Sequence, residues 1–443
     1  MNATRRMASL AVLMAFCLLG INTPRLAAQD AGASGGSQQK YTMAEYNAYT
    51  AAANEKDAAA QLKALDDFVA KYPNSNLLNY IYPLYYQNYG NSKNYAKVME
   101  YTDKEVALGD KSSPAEKLQA YSVRAFAYNH TQNPDVAQSK AAYTAALEGA
   151  KLLDALPKPE GYDDAKFAAE KKGILLNFNA TAANAAMNAK DYPNAITMYR
   201  AVLATNPDDF VSYFNIGRAD LALAPPQQLD AIWAFARAAA SKSATEQQSK
   251  AVKTYLPKVI ANYQGGTVCD PVSQAELSEL LQLAASSPDR PASYKLYSAA
   301  DLAAAQKDMT IASVVTDLKA GGDKAKLTWT ASCGLEFPDV PGKIIDITAG
   351  ADTVDLKNAF VTSDAEFEAA TTANMDFTLK TADQPDAAKL EKGNPVRITA
   401  TLESYDPDPS FMLHWDKAKV NEEDLPKAGK KPAPKKHSAK PQE

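Results

Sequence analysis

Few side chains in this sequence are placed to do covalent chemistry. Gly32-Ala33-Ser34-Gly35-Gly36 has the Gly-x-Ser-x-Gly spacing of a nucleophile elbow, but an elbow needs a strand before the serine and a helix after it. Here the motif sits in a polar stretch with neither. A general base is also missing, because His130, His414 and His437 are dispersed and form no constellation with a nucleophile. There is no phosphate-binding loop, no zinc-protease helix and no Cys-x-x-Cys. The expectation is a protein with no catalytic residue, no cofactor and no metal.

The remaining candidates bind rather than react. Tyr82, Tyr85, Tyr86 and Tyr89 fall on one helical face. They either line a groove for a peptide or sugar polymer, or pack between neighbouring helices. Cys269 and Cys333 either close a disulfide or stand as two separate buried thiols; a bridge would contribute about 4 kcal/mol through loop entropy. The Lys/Pro-rich end, with Lys430, Lys431, Lys435 and Lys436, either holds an anionic wall polymer or membrane surface, or serves as a solubilising spacer. Net charge is −5, from 47 Lys+Arg against 52 Asp+Glu, which gives no general electrostatic case for nucleic acid.

The first residues speak for export. Arg5 and Arg6 precede an apolar run from Ala8 to Gly20, followed by Pro24 and Leu26-Ala27-Ala28. This is the pattern of a cleavable secretory signal covering residues 1–28, with a mature start near Gln29. The run is too short for a comfortable membrane span. Cys17 follows the bulky Phe16, where a lipoprotein signal needs a small residue, so no lipid anchor is expected. A periplasmic or secreted protein follows, in a compartment that permits disulfides.

Helical punctuation dominates what comes next. After a flexible leader at 29–40, Thr42-Met43-Ala44-Glu45 and Ser113-Pro114-Ala115-Glu116 have capping-box spacing. Lys71-Tyr72-Pro73, Gly90-Asn91 and Asn133-Pro134 mark turns between helices. Residues 41–264 thus read as a run of helical hairpins, and 265–322 as a helical extension.

Two consecutive segments carry a more specific pattern. One has Asp191-Tyr192 before a helix, then Ala195, Tyr199, Val202 and a closing Asn206-Pro207. The next has Tyr213, Asn215, Ile216, Gly217 and Ala219, then Ala231, Phe235 and Ala238 after Pro225-Pro226. This resembles two tetratricopeptide (TPR) repeats, helix–turn–helix units that bury their apolar faces by stacking. The chain departs from that pattern in the first helix of the first unit, where Asn179, Ala182, Ala183 and Ala186 replace large residues, glycine and tyrosine. The resemblance implies an α–α superhelix whose groove is lined by the first helix of each pair. Position by position, Asn177, Asn184, Met187, Phe214, Arg218 and Leu221 would face that groove. Asparagine and arginine there suit a peptide backbone or a carboxylate, and the Ala-rich departure leaves an asparagine-lined patch beside Arg218.

Beyond Gly322 the period changes to two. Met375, Phe377 and Leu379, then Val396, Ile398, Ala400 and Leu402, then Phe411, Leu413 and Trp415 alternate with polar residues. With Lys343 to Thr348 and Thr353 to Phe360 this makes a small antiparallel barrel or sandwich over 323–421, with a tail over 422–443. The run from Gly393 through Trp415 resembles the closing strands of OB-fold domains.

The fold class expected is therefore mainly α, a TPR-type superhelix followed by a small β domain. The function expected is that of a non-enzymatic exported scaffold for protein partners in the cell envelope. The alternative is a cell-wall glycan (peptidoglycan) binding module using the β domain, the basic tail and the tyrosine face.

Overall fold

The computed structural model describes residues 41–266, 268–407 and 410–426. The signal, the leader with Ser34, and the Lys/Pro-rich stretch at 427–443 with His437 lie outside the described residues. The chain divides into two units, one running to Gln227 with Ser241–Ser243, the other comprising Gln228–Ala240 and the chain from Ala244 onward. Among the described residues no helix is long and apolar enough to cross a membrane.

The first unit is built from α1 (Met43–Asn54), α2 (Ala58–Lys71), α3 (Leu78–Asn91), α4 (Tyr95–Val106), α5 (Pro114–His130), α6 (Val136–Ala155), α7 (Asp164–Asn188), α8 (Tyr192–Thr205) and α9 (Phe210–Ala222). Local chemistry fixes most of their starts. Reciprocal capping boxes open α1 at Thr42/Glu45, α5 at Ser113/Glu116 and α6 at Asp135/Gln138, while Asp57, Asp191 and Asp209 cap α2, α8 and α9. Consecutive helices pack as hairpins, α1 with α2, α3 with α4, α5 with α6 and α7 with α8. The first helices of neighbouring hairpins also touch, α1 with α3, α3 with α5 and α5 with α7. This is a helical-repeat arrangement.

Small residues permit the closest approaches. A Cβ on Gly149 of α6 would come within 2.6 Å of the Phe178 ring of α7. Ala182, Ala183, Ala185 and Ala186 of α7 are all fully buried.

The tyrosine face goes into this packing. Tyr82, Tyr85 and Tyr86 are core residues and Tyr89 is half-buried. The Tyr85 ring stacks on Tyr101 of α4 at 3.9 Å, and its hydroxyl donates to Asp66 of α2 at 2.6 Å. The reading of Tyr82, Tyr85 and Tyr86 as groove residues is thus corrected to packing: all three are buried, and Tyr82 and Tyr85 lie against Tyr101 within the α3–α4 hairpin.

The second unit opens with α10 (Gln228–Ala240), buried continuously from Ala231 to Ala239. It packs on α11 (Glu246–Gln264) and α12 (Asp270–Ser286). Pro271 suits the first turn of α12. The two helices of the second TPR-like segment, α9 and α10, fall in different units.

Next come α13 (Ala299–Lys307), α14 (Ile311–Ala320) and α15 (Gly322–Ser332). Helix α15 lies where the sequence reading opens the β domain. Its buried Ala325, Thr328, Ala331 and Ser332 recur at helical spacing. Cys269, before α12, and Cys333, after α15, form a disulfide with Cα atoms 5.8 Å apart.

The strands are β1 (Glu336–Ala349), β2 (Thr353–Phe360), β3 (Met375–Lys380), β4 (Pro395–Asp406) and β5 (Met412–Val420), with a short α16 (Asp364–Ala369) between β2 and β3. They close a barrel in the order β1-β2-β3-β5-β4. Strand β1 reaches both β2 and β4 by bending at register shifts near Phe337/Val340 and Ile344/Asp346. All pairings are antiparallel except β3 with β5, which is parallel and corrects the expectation of an antiparallel sheet. Trp415 sits at the centre of the barrel core, between Phe377 at 5.6 Å and Phe337 at 5.7 Å. Val314, Val315 and Leu318 of α14 and Ala325 of α15 join the same core.

Two predictions follow from this unit. Replacing both Cys269 and Cys333 by serine restores the entropy of the loop in the unfolded chain and should cost about 4 kcal/mol. All three tryptophans of the chain, Trp233, Trp329 and Trp415, lie in this unit. Urea unfolding followed by their fluorescence should therefore shift to a lower midpoint, and an unchanged midpoint would contradict the assignment.

The second concerns the β3–β5 seam. His414 Nδ1 lies 2.9 Å and 3.0 Å from the two Asp376 oxygens, and Nε2 lies 3.1 Å from Asp406. Partial burial works against the imidazolium, but Asp406 and Asp376 outweigh it and raise the pKa of His414. A raised folded-state pKa adds stability below the unfolded value of about 6.5 and loses it as pH climbs through the folded value. The pair is partly exposed, so His414→Gln should cost about 1 kcal/mol or less at pH 5.5 and nothing at pH 9. Equal costs at both pH values would exclude the charged bridge.

Candidate functional site

A cavity of about 260 Å³ opens in the first unit, lined by Tyr128, Asn129, Thr131, Pro134, Asn184, Met187, Asn188, Tyr199, Asn215 and Arg218. Four helices supply it. The end of α5 carries Tyr128 and Asn129, and Thr131 and Pro134 follow in the turn. Helix α7 contributes Asn184, Met187 and Asn188, α8 contributes Tyr199, and α9 contributes Asn215 and Arg218. The α5–α6 turn is set by Asn133, whose φ of +48° is one that asparagine tolerates well.

Two buried tyrosines hold the amides in place. The Tyr199 hydroxyl donates to Asn184 Oδ1 at 2.8 Å, which leaves the Asn184 NH2 as a donor for the cavity. Burial raises the Tyr199 pKa, so the phenol stays protonated and keeps this role. The Tyr128 hydroxyl donates to Ser139 Oγ at 3.0 Å and accepts from Asn188 Nδ2 at 3.0 Å, leaving Asn188 Oδ1 as an acceptor. Asn129 Nδ2 donates to Thr181 Oγ1 at 2.8 Å, so its Oδ1 is an acceptor too. Arg218 is exposed and donates one N–H to Asn215 Oδ1 at 3.1 Å. No ion pair engages Arg218 among the described residues, and no carboxylate lines the cavity.

The wall thus alternates donors and acceptors around one cation. Such a wall can hold a polar chain such as a peptide backbone, with an acidic group at Arg218. It contains no nucleophile paired with a base. Among the described residues no cluster of three His, Cys, Asp or Glu could hold a metal ion.

Of the residues expected from the sequence, Asn184, Met187 and Arg218 come together here. Asn177 lies one turn before Thr181, whose hydroxyl donates to the Asn177 carbonyl at 2.8 Å, and it does not line the cavity. Phe214 stacks on Phe210 at 5.7 Å instead, and Leu221 lies outside the lining.

Sequence reasoning missed Asn188, Asn215, Tyr199, Tyr128 and Asn129 as site residues. The first two were within reach, because Asn184/Asn188 and Asn215/Arg218 are spaced to share a helix face. Tyr128 and Asn129 arrive from a separate hairpin, and no local pattern announces that.

No protein-family model matches the chain, and no curated protein is similar to it.

Tyr199→Phe removes the hydroxyl that orients Asn184 and should destabilise the first unit by about 1–2 kcal/mol. The tyrosine near-UV circular dichroism melt reads this. An unaltered melting curve would mean that the phenol does not carry the Asn184 contact.

Proposed function

We propose that the chain is a non-catalytic, exported scaffold whose helical array takes an extended segment of a protein partner. The observation that carries this reading is the cavity: amide donors and acceptors around Arg218, which enters no ion pair among the described residues, with α7 and α9 among its walls as the TPR resemblance assigns them to a groove. A peptide main chain offers one N–H and one C=O per residue, which suits such a wall. The succession of hairpins with touching first helices supports a TPR-type superhelix.

Export is supported by the amino-terminal pattern of charge, apolar run and small residues, and by the Cys269–Cys333 bridge, which suits an oxidising compartment. We place the protein in the periplasm or outside the cell.

The barrel adds a second surface. Its order β1-β2-β3-β5-β4, with β3 and β5 parallel, supports an OB-like assignment together with the resemblance of Gly393 through Trp415.

A second reading, binding of cell-wall glycan, keeps one specific observation. Tyr41, Tyr46, Tyr49 and Tyr80 are half-buried and form a contiguous row, with ring centroids 5.9, 6.4 and 6.0 Å apart.

The two readings part in one experiment. Asn184→Ala with Arg218→Ala, in a chain whose circular dichroism is unchanged, should abolish capture of a protein partner from an envelope extract. The parent chain should stay in the supernatant when mixed with insoluble peptidoglycan. Undiminished capture by the double variant would refute the groove, and sedimentation with the polymer would favour the glycan reading.

A further inference from the structure

A buried carboxyl without a cation stands out elsewhere in the array. Glu105, near the end of α4, is 1% exposed, and its Oε2 has no hydrogen-bond partner. None of the ion pairs among the described residues includes it. Its own helix offers no cation: Lys97 and Lys104 are paired with Glu100, and Asp103 is paired with Arg124 of α5. From α3 the Tyr86 hydroxyl faces Glu105, and from α5 the Glu116 carboxylate faces it.

Glu116 is the better solvated of the two acids by protein donors. It accepts from Ser113 N at 2.6 Å and from Asn79 Nδ2 at 3.0 Å. A charge buried without a partner neutralises instead. Burial is the largest influence on Glu105, Tyr86 partly opposes it and Glu116 adds to it, so that its pKa is pushed up to about 8.

We propose that Glu105 is a proton gate in the helical array: seated as a neutral carboxyl between α3 and α5, it becomes an uncompensated charge against Glu116 when pH rises and loosens the start of α5. Helix α5 runs from that start, at Pro114, to the cavity, where it supplies Tyr128 and Asn129. Protonation of Glu105 therefore favours the folded α4–α5 pair on which one wall of the cavity is mounted. The consequence for binding rests on the reading of the cavity as the partner site; the gate itself does not.

The sign follows from linkage. The folded state holds a proton that the unfolded chain has released above its ordinary value of about 4.3. Stability from this group is complete below that value, falls as pH rises through the interval, and is gone above the folded value of about 8.

Hydrogen exchange read by mass spectrometry on the full chain tests this, with rates referred to the intrinsic exchange at each pH. In the wild type, protection of peptides within residues 95–130 should fall by up to tenfold per pH unit between about pH 5 and pH 8, then level off. Peptides of α7 and α8 and the tryptophan fluorescence should not follow. Glu105→Gln, which mimics the neutral carboxyl, should flatten the profile. Glu116→Gln removes the facing charge and should move the levelling point to lower pH, which keeps the test decisive if Glu105→Gln does not fold. A flat wild-type profile, identical profiles in wild type and Glu105→Gln, or an unmoved levelling point in Glu116→Gln would overturn the gate. None of these readouts needs a ligand, so failure of the cavity to bind a partner would leave them untouched.

Discussion

The close approach of α7 to its neighbours is the constraint on which the first unit depends. Phe178 lies against Gly149 where no Cβ would fit, and Ala182, Ala183, Ala185 and Ala186 are fully buried. Beyond Phe178, this stretch of α7 is mostly alanine and carries little apolar bulk to fill the space around it. Asn184, Met187 and Asn188 therefore stand around a cavity rather than within a filled seam. Alanine costs no side-chain entropy in a helix and has the best helical propensity, so the arrangement carries little local penalty.

What makes the cavity more than a packing defect is its polarity. Voids that arise from poor packing are apolar and stay dry, whereas four carboxamides, two phenols and a guanidinium line this one. The phenols of Tyr128 and Tyr199 are buried and point the amides by hydrogen bonds of 2.8–3.0 Å. A binding wall works best when its polar groups are held before the ligand arrives. Glu105, a helix and a turn away in the chain from the α5 end of that wall, adds a titratable group to the support.

Much of the architecture was legible in the sequence. Capping boxes at Thr42 and Ser113 and strand alternation at Met375–Leu379 and Val396–Leu402 are local signals, and they correspond to helix starts and barrel strands. The failure of the TPR pattern at Asn179, Ala182, Ala183 and Ala186 pointed to the patch beside Arg218. Barrel closure was not legible, because β3 pairs with β5 across intervening β4 and no local pattern encodes a parallel partner. The tyrosine face stayed open between two readings for a related reason. One helical face of rings looks the same whether it meets a ligand or a neighbouring helix, and only the place of Tyr101 decides that Tyr85 is stacked and buried. The division of the chain at Gln227, between α9 and α10, was equally invisible to a pattern that treats both helices as one repeat.

The central claim is that the asparagine–arginine cavity receives a protein segment. It is tested most directly by placing a photo-activatable amino acid at position 187, on the cavity wall, and another at the exposed position 136 as a control. Irradiation in the native envelope, followed by mass spectrometry, reads what each position touches. A single protein joined through an extended segment at 187, and absent at 136, is the result predicted. No adduct at 187, or an adduct with sugar polymer in place of protein, would contradict the claim.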